Sequence, residues 1–235
     1  MRPRLFGAVR AHRSVTTVIL VPYRSDGARR DQLWQYVRRH LTKHHPDWPI
    51  HIGQSPDGPF NRSAAINHAA DCEWDTAVIT DADTFVPPTQ LTHAVNLAGE
   101  RLVAAFDHVV ELTRNVTERH LTGARNIIYA GNVRTEPLTI QSSVLAISRT
   151  LWDKVGGFDE GFVGWAAEDN AFWRACTIHG GEPLRVEGPA YHLWHRSARP
   201  SWRDENYQNN QKRWQQYLTA ETPADLEQFT AVTIE

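Results

Sequence analysis

The segment Thr76-Ala77-Val78-Ile79-Thr80 limits the fold of this chain more than any other stretch. Four of its five residues are β-branched and none is charged, a composition that suits a strand buried on both faces. It runs straight into Asp81-Ala82-Asp83-Thr84, and Pro87-Pro88 soon afterwards prevent a regular strand from continuing. The two acids therefore belong at the strand's carboxyl end, the edge at which open α/β sheets bind ligands. Two hard carboxylate oxygens one residue apart suit Mn²⁺ or Mg²⁺. Asp is also an ordinary turn residue, so a plain acidic turn is the competing reading until other parts of the chain supply partners.

The flanking sequence repeats a strand-then-helix pattern. Residues 16–21 form a first apolar strand, and 22–27 a turn rich in turn-forming residues. From 28 to 45 the spacing of Leu33, Tyr36, Val37 and Leu41 is helical, and Pro46 ends the run. Residues 48–53 read as a second strand, followed by a loop over 54–60 and a helix capped by Asn61. A helix from Pro88 to about Gly99, a strand at 102–106, a strand at 142–148 and a helix at 149–155 stopped by Gly156-Gly157 continue the pattern. A glycine-punctuated acidic loop then feeds a helix to about Ile178, and a last strand at 184–187 precedes Tyr191-His192-Leu193-Trp194-His195. The alternation predicts an α/β fold with a mostly parallel sheet covered by helices. Residues 107–137 have weaker periodicity and read as loops, partly helical around 115–122. Three regions are expected: a basic arm at 1–14, one domain at 15–199, and a helical tail or lid at 200–235 whose thin apolar stripe is Tyr207, Trp214, Tyr217 and Leu218.

Composition excludes some classes of function. With 235 residues the chain can bury a proper core. Its 25 Lys and Arg against 27 Asp and Glu argue against a nucleic-acid binder that relies on a large basic face. Both cysteines, Cys72 and Cys176, fall in segments read as helices, so free thiols in a reducing compartment are expected. Nothing approaches the roughly 20 apolar residues of a membrane helix, and the Arg-bearing N-terminus has too broken an apolar run for a signal peptide. A soluble, cytoplasmic protein is the expectation. The 9 tryptophans suit carbohydrate or nucleotide faces as well as a core.

Three further features can complete a site with Asp81 and Asp83. Pro22-Tyr23-Arg24 follows the first strand, and Asp57 and Arg62 follow the second, which places them at the same sheet edge. There Tyr23 can stack on a base, Asp57 can accept a hydrogen bond from base or ribose, and Arg62 can hold phosphate. No glycine-rich phosphate loop is present, so side chains and metal must do that work. Trp165 with Glu168-Asp169 at a helix start offers a flat apolar face beside a proton acceptor, which is what a sugar hydroxyl needs. Helix-dipole stabilisation of those acids is the plainer alternative. His192 and His195 follow the last strand. Residues three apart on an ideal strand face opposite ways, so both could bind one metal only from a bend or turn, and a single metal ligand, His192, is the expectation.

Taken in order, Asp81-Ala82-Asp83, Val155-Gly156-Gly157-Phe158-Asp159-Glu160, Gly164-Trp165-Ala166-Ala167-Glu168-Asp169 and Tyr191-His192-Leu193-Trp194-His195 resemble the GT-A glycosyltransferases, in particular the family-2 type enzymes and the galactosyltransferase C-terminal domain. The resemblance spans about residues 15–195. It implies that Asp83, with Asp81 and His192, holds Mn²⁺ or Mg²⁺ on the diphosphate of a nucleotide sugar, a uridine diphosphate sugar by family likeness. It further implies that Pro22, Tyr23, Arg24, Asp57, Arg62 and Ala82 surround the donor. Asp169 becomes the catalytic base, with Glu168, Trp165 and His195 at the acceptor. The chain departs from the family pattern at Ala166 and Ala167, where glycines are usual, and at Asn170, where a further acid is usual.

The reaction so implied is metal-dependent transfer of a hexosyl group to a hydroxyl of a glycan, small molecule or protein, with inversion if Asp169 works from the face opposite the leaving group. Retaining transfer, a sugar nucleotidyltransferase and a non-catalytic carbohydrate-binding module are the alternatives. The missing glycine-rich phosphate loop counts against the nucleotidyltransferase.

Overall fold

Burial on both faces shapes the first half of the molecule. In the computed structural model, which describes residues 15–124, 127, 129–196 and 201–230, β1 (Thr17–Pro22) lies between β2 (Ile50–Gly53) and β3 (Thr76–Thr80), parallel to both. Every residue of β1 and β3 is buried, and for that reason their sequences are continuous apolar or β-branched runs. The crossovers are α1 (Arg29–His44), which buries Leu33, Trp34, Val37 and Leu41, and α2 (Arg62–Ala69). The Asn61 side chain caps α2 by accepting from the Ala64 N–H. Gly53 permits a close approach of α2: a Cβ there would lie 1.6 Å from the Ala65 carbonyl oxygen.

Further along are β4 (Thr84–Phe85), α3 (Pro88–Leu97), β5 (Val103–Ala104), β6 (His108–Leu112), α4 (Arg114–Leu121) and β7 (Gly131–Arg134). After a 3-10 turn at Pro137–Thr139 come β8 (Val144–Ser148), α5 (Arg149–Val155), α6 (Glu168–Gly180), β9 (Leu184–Arg185), β10 (Pro189–His192), α7 (Glu205–Thr219) and α8 (Pro223–Thr230). The central sheet has the order β2-β1-β3-β8-β5-β9. All its strands point the same way except β8, which is antiparallel to both β3 and β5. The expected mostly parallel sheet is present; the reversal of β8 could not be read from a run of residues that carries no direction.

A second sheet, β4-β10-β6-β7, corrects the reading of residues 107–137 as loops with some helix. The helix is there as α4, but β6 and β7 flank it. β7 is the short, largely exposed edge strand Gly131-Asn132-Val133-Arg134, and such a segment has no apolar period to find. A second correction concerns Cys72, which lies just after α2 and not within a helix, while Cys176 is buried in α6; both thiols are free. The tail packs on the domain through part of its stripe. Tyr217 and Ala220 pack with Phe162, Ala171, Ala175 and Leu226 in a small core of their own, so α7 has a buried face, although Leu218 points out of it, 50% exposed. The expected arm at 1–14 lies outside the described residues. Among the described residues no helix is long and apolar enough to cross a membrane.

Candidate active site

Register brings the carboxyl ends of β1, β2 and β3 to one edge, with Pro22 opposite Gly53. Arg24, just past β1, ties down the loop after β2: its guanidinium donates to the Gly58 carbonyl at 2.7 Å and to Ser55 Oγ at 3.0 Å, and lies 5.5 Å from the Phe60 ring centre. Asp57 is exposed on the loop so held. The Tyr23 hydroxyl donates to Asp31 and its ring leans on Trp34, with centres 5.8 Å apart. Burial and the neighbouring Asp31 carboxylate push the phenol up to about 12. Tyr23 therefore has its polar end committed within the protein.

The two acids after β3 have different partners. Asp81 Oδ1 accepts from Arg62 Nη2 at 2.7 Å and Nε at 3.1 Å. Its backbone N–H donates to the Ser143 carbonyl at 2.9 Å, and Ser143 holds a left-handed φ of 79°. The remaining guanidinium nitrogen, Arg62 Nη1, is buried without a hydrogen-bond partner. Burial works against the Arg62 charge, but the surrounding acids Asp81, Glu168 and Asp169 outweigh it and hold the group firmly protonated. A buried cation with an unspent N–H is suited to a phosphate oxygen.

Asp83 faces the histidines instead. β4 pairs antiparallel with β10, setting Thr84 opposite His192, and the Leu193 N–H donates to the Asp83 carbonyl at 2.8 Å. His192 Nε2 lies 3.6 Å from Asp83 Oδ1 and His195 Nε2 3.2 Å from Asp83 Oδ2. The chain leaves β10 at His192 and turns, so that residues three apart face the same carboxylate. That turn is pinned from several sides. Leu193 is fully buried, the Trp194 N–H donates to Thr117 Oγ1 at 2.8 Å, the Trp194 carbonyl accepts from Arg29 at 3.2 Å, and Arg29 and Arg114 both lie against the Trp194 ring. His195, expected at the acceptor, thus sits with His192 at Asp83.

Ligand atoms of Asp83, His192 and His195 lie within 4.8 Å of one another. Each imidazole has its Nδ1 engaged elsewhere, His192 with Glu111 Oε2 at 2.7 Å and His195 with the Arg196 carbonyl at 2.9 Å, which leaves both Nε2 atoms turned to the shared carboxylate. Burial opposes charge on His192, but Asp83 and Glu111 hold it up at about 9. A set of one carboxylate and two imidazoles fits a divalent cation, and its nitrogens favour Mn²⁺ over Mg²⁺. Asp81, 25% exposed and paired with Arg62, stands beside this group and outside it.

Glu168 and Asp169 open α6, where the helix N-terminus favours negative charge. The residues before them hold backbone shapes that L side chains rarely adopt, with φ of 114° at Ala166 and 70° at Ala167, so the positions where glycine is usual in the resembled family are ones where glycine would be relaxed. Burial and the adjacent Asp169 raise the Glu168 carboxyl to about 7. Trp165 is 50% exposed and lies roughly parallel to Tyr207 of α7, ring centres 6.0 Å apart. Asn210, also on α7 and buried, accepts from the Val163 N–H at 3.2 Å and donates to the Val163 and Trp165 carbonyls at 2.9 and 3.2 Å. The Gly164 N–H donates to the Phe60 carbonyl at 3.1 Å, joining this loop to the one Arg24 holds. Asn170 donates to the Leu138 carbonyl and Gln141 Oε1 at 2.9 and 2.5 Å, fastening the segment before β8.

Ala82 is half-buried between the two acids. The groups that sequence reasoning missed are Glu111, Thr117, Arg29 and Asn210. Only Asn210 carried a signal, as a polar residue on the helical face of Tyr217 and Trp214.

Residues 126–196 match the family model described as the N-terminal domain of galactosyltransferase. Among solved structures, the catalytic domain of Drosophila beta1,4-galactosyltransferase 7 in complex with xylobiose is similar to this chain with a TM-score of 0.57 and 16% identity, covering 85% of this chain and 80% of that one. A mutant of the same Drosophila enzyme, in complex with manganese, UDP-Gal and xylobiose, gives a TM-score of 0.51 and 15% identity over 83% and 79% of the two chains. No curated protein matches the chain. The fold is that of the GT-A glycosyltransferases.

Proposed function

We propose that this protein is a metal-dependent hexosyltransferase that moves a sugar from a nucleotide sugar, a UDP-hexose with UDP-galactose first among them, to a hydroxyl acceptor with inversion. The observation that carries the reading is the meeting of Asp83, His192 and His195 within 4.8 Å at the sheet edge where Arg62 keeps a buried N–H without a partner. The galactosyltransferase match and the manganese and UDP-Gal held by a structural neighbour support it.

Asp83, His192 and His195 would hold the cation, Mn²⁺ in preference to Mg²⁺. A divalent cation bound there supplies charge stabilisation for a departing diphosphate. Arg62 adds a fixed positive charge beside it and needs no reorganisation to do so, because Asp81 already orients it. The loop that carries Asp57 is held in place by Arg24 and borders the nucleotide. Trp165 and Tyr207 offer a flat apolar surface for an acceptor sugar. Asp169 takes the proton of the acceptor hydroxyl as the new bond forms.

A second assignment of the base is favoured by one observation: the Glu168 carboxyl is raised to about 7, where a general base is most effective at neutral pH. The two separate on mutation. With UDP-hexose, Mn²⁺ and a panel of glycan and small-molecule acceptors, Asp169→Asn should lose at least about a hundredfold in transfer while binding donor and Mn²⁺ as the wild type does. Near-normal turnover of Asp169→Asn, with the loss falling on Glu168→Gln instead, would move the base to Glu168. Failure of wild-type protein to release UDP from any UDP-hexose in the presence of Mn²⁺ would sink the transferase reading.

A further inference from the structure

Glu111 belongs to none of the motifs that define the candidate site, yet β10 and β6 pair in parallel with His192 opposite Glu111. Paired residues on neighbouring strands project to the same face, and the two side chains meet with Glu111 Oε2 2.7 Å from His192 Nδ1. The other carboxylate oxygen, Oε1, lies 2.8 Å from Nε of Arg134 on the edge strand β7. One oxygen of Glu111 thus meets the imidazole and the other faces the Arg134 cation as an ion pair, with no hydrogen bond from Nε.

We infer that Glu111, steadied by Arg134, is a positioning residue that fixes His192 as a metal ligand and sets the affinity of the site for a divalent cation. The inference rests on the metal-dependent reading proposed above. An imidazole whose Nδ1–H is donated to a carboxylate cannot rotate freely, presents the Nε2 lone pair, and is a stronger electron donor than one bonded to a neutral acceptor. His195 has only the neutral carbonyl of Arg196 in that role. The two histidines are therefore unequal: His192 is the ligand tuned from outside the site, through a chain of contacts that runs Asp83, His192, Glu111, Arg134 across three strands of the second sheet. Partners of this kind typically contribute 10- to 100-fold, roughly, to metal affinity.

Calorimetric titration of Mn²⁺ into the metal-free full chain tests the assignment, with circular dichroism melts run on every variant. Glu111→Ala should bind Mn²⁺ about 10- to 100-fold more weakly than wild type, and its Co²⁺ complex should show an altered visible spectrum. Glu111→Gln, which can still accept the Nδ1–H through its amide oxygen, should fall between the two, and Arg134→Met should lose less than Glu111→Ala. Equal Mn²⁺ affinity and an unchanged Co²⁺ spectrum in Glu111→Ala would overturn the inference and leave Glu111 as a sheet ion pair. If Glu111→Ala melts without cooperativity, Glu111→Gln decides, and wild-type affinity in that variant overturns the inference as well. Wild-type protein that takes up no Mn²⁺ removes the metal reading beneath it, an outcome distinct from a wild type that binds while the variants bind equally.

Discussion

Asp81 and Asp83 are chemically the same and one residue apart, yet their surroundings set them different tasks. Asp81 is occupied by Arg62 and Asp83 by two imidazoles. The acid pair and its place at the end of a buried strand were legible in the sequence; the division between them was not, because the partners come from α2 and β10, and local spacing says nothing about which distant residue will arrive. Glu168 gives this scale its pH dependence. Its folded-state carboxyl is raised to about 7 from an ordinary value near 4.5 by burial and by Asp169. Between those two values the folded chain holds a proton that the unfolded chain has released, so this group's contribution to stability falls as pH rises through that window. Glu168→Gln should therefore match the wild type in thermal stability near pH 4.5 and exceed it at pH 8, by on the order of 1 kcal/mol or more. Thermal melts at the two pH values check this, and a variant that is equally destabilised at both would remove the argument. The left-handed Ala166 and Ala167 directly before it show that the backbone is under strain where the chain enters α6.

At the scale of elements, α7 is the piece whose existence was easier to read than its purpose. A polar run with a thin apolar stripe announces a helix, and α7 spans Glu205–Thr219; nothing in the stripe says that the helix reaches back to the loop carrying Trp165. Two contacts do so. Asn210 satisfies backbone groups of Val163 and Trp165, and Arg213 pairs with Asp159, whose side chain is only 8% exposed, while the Tyr217 hydroxyl donates to the same carboxylate at 2.8 Å. Removing the cation from a buried pair leaves a charge without its counterion, which typically costs about 3–5 kcal/mol. Arg213→Met should lose stability on that scale in urea unfolding, and its acceptor KM should rise more than its donor KM, because the loosened loop carries Trp165. A loss below about 1 kcal/mol would place the pair among weak surface contacts. The strand elements divide in the same way: β1, β3 and β8 are apolar enough to be seen, whereas β4 and β7 are too short or too polar, and they form because neighbouring strands offer them partners.

Considered whole, the molecule joins a mostly parallel six-stranded sheet to a smaller sheet that no local pattern announced. The parallel strands, their crossover helices and the edge that gathers their loops all follow from runs of buried residues with turns between them, so this half of the fold was legible. The smaller sheet depends on pairings between β4, β6, β7 and β10, which lie far apart in the chain, and long-range pairing leaves no trace in a short window of sequence. Asp83 and His192 meet only through that sheet, with about a hundred residues of chain between them. Closing so long a loop is slow and gains nothing until the contact is made. The order of assembly follows: a chain that has folded its first three strands still lacks the candidate cation pocket, which is complete only when β10 docks. Refolding followed by stopped flow should accordingly show secondary structure forming first and Mn²⁺ capture lagging behind it, and simultaneous appearance of the two signals would count against that order. Cation uptake at the candidate pocket would thus be an inspection mark of the finished chain, one that half-folded copies cannot carry.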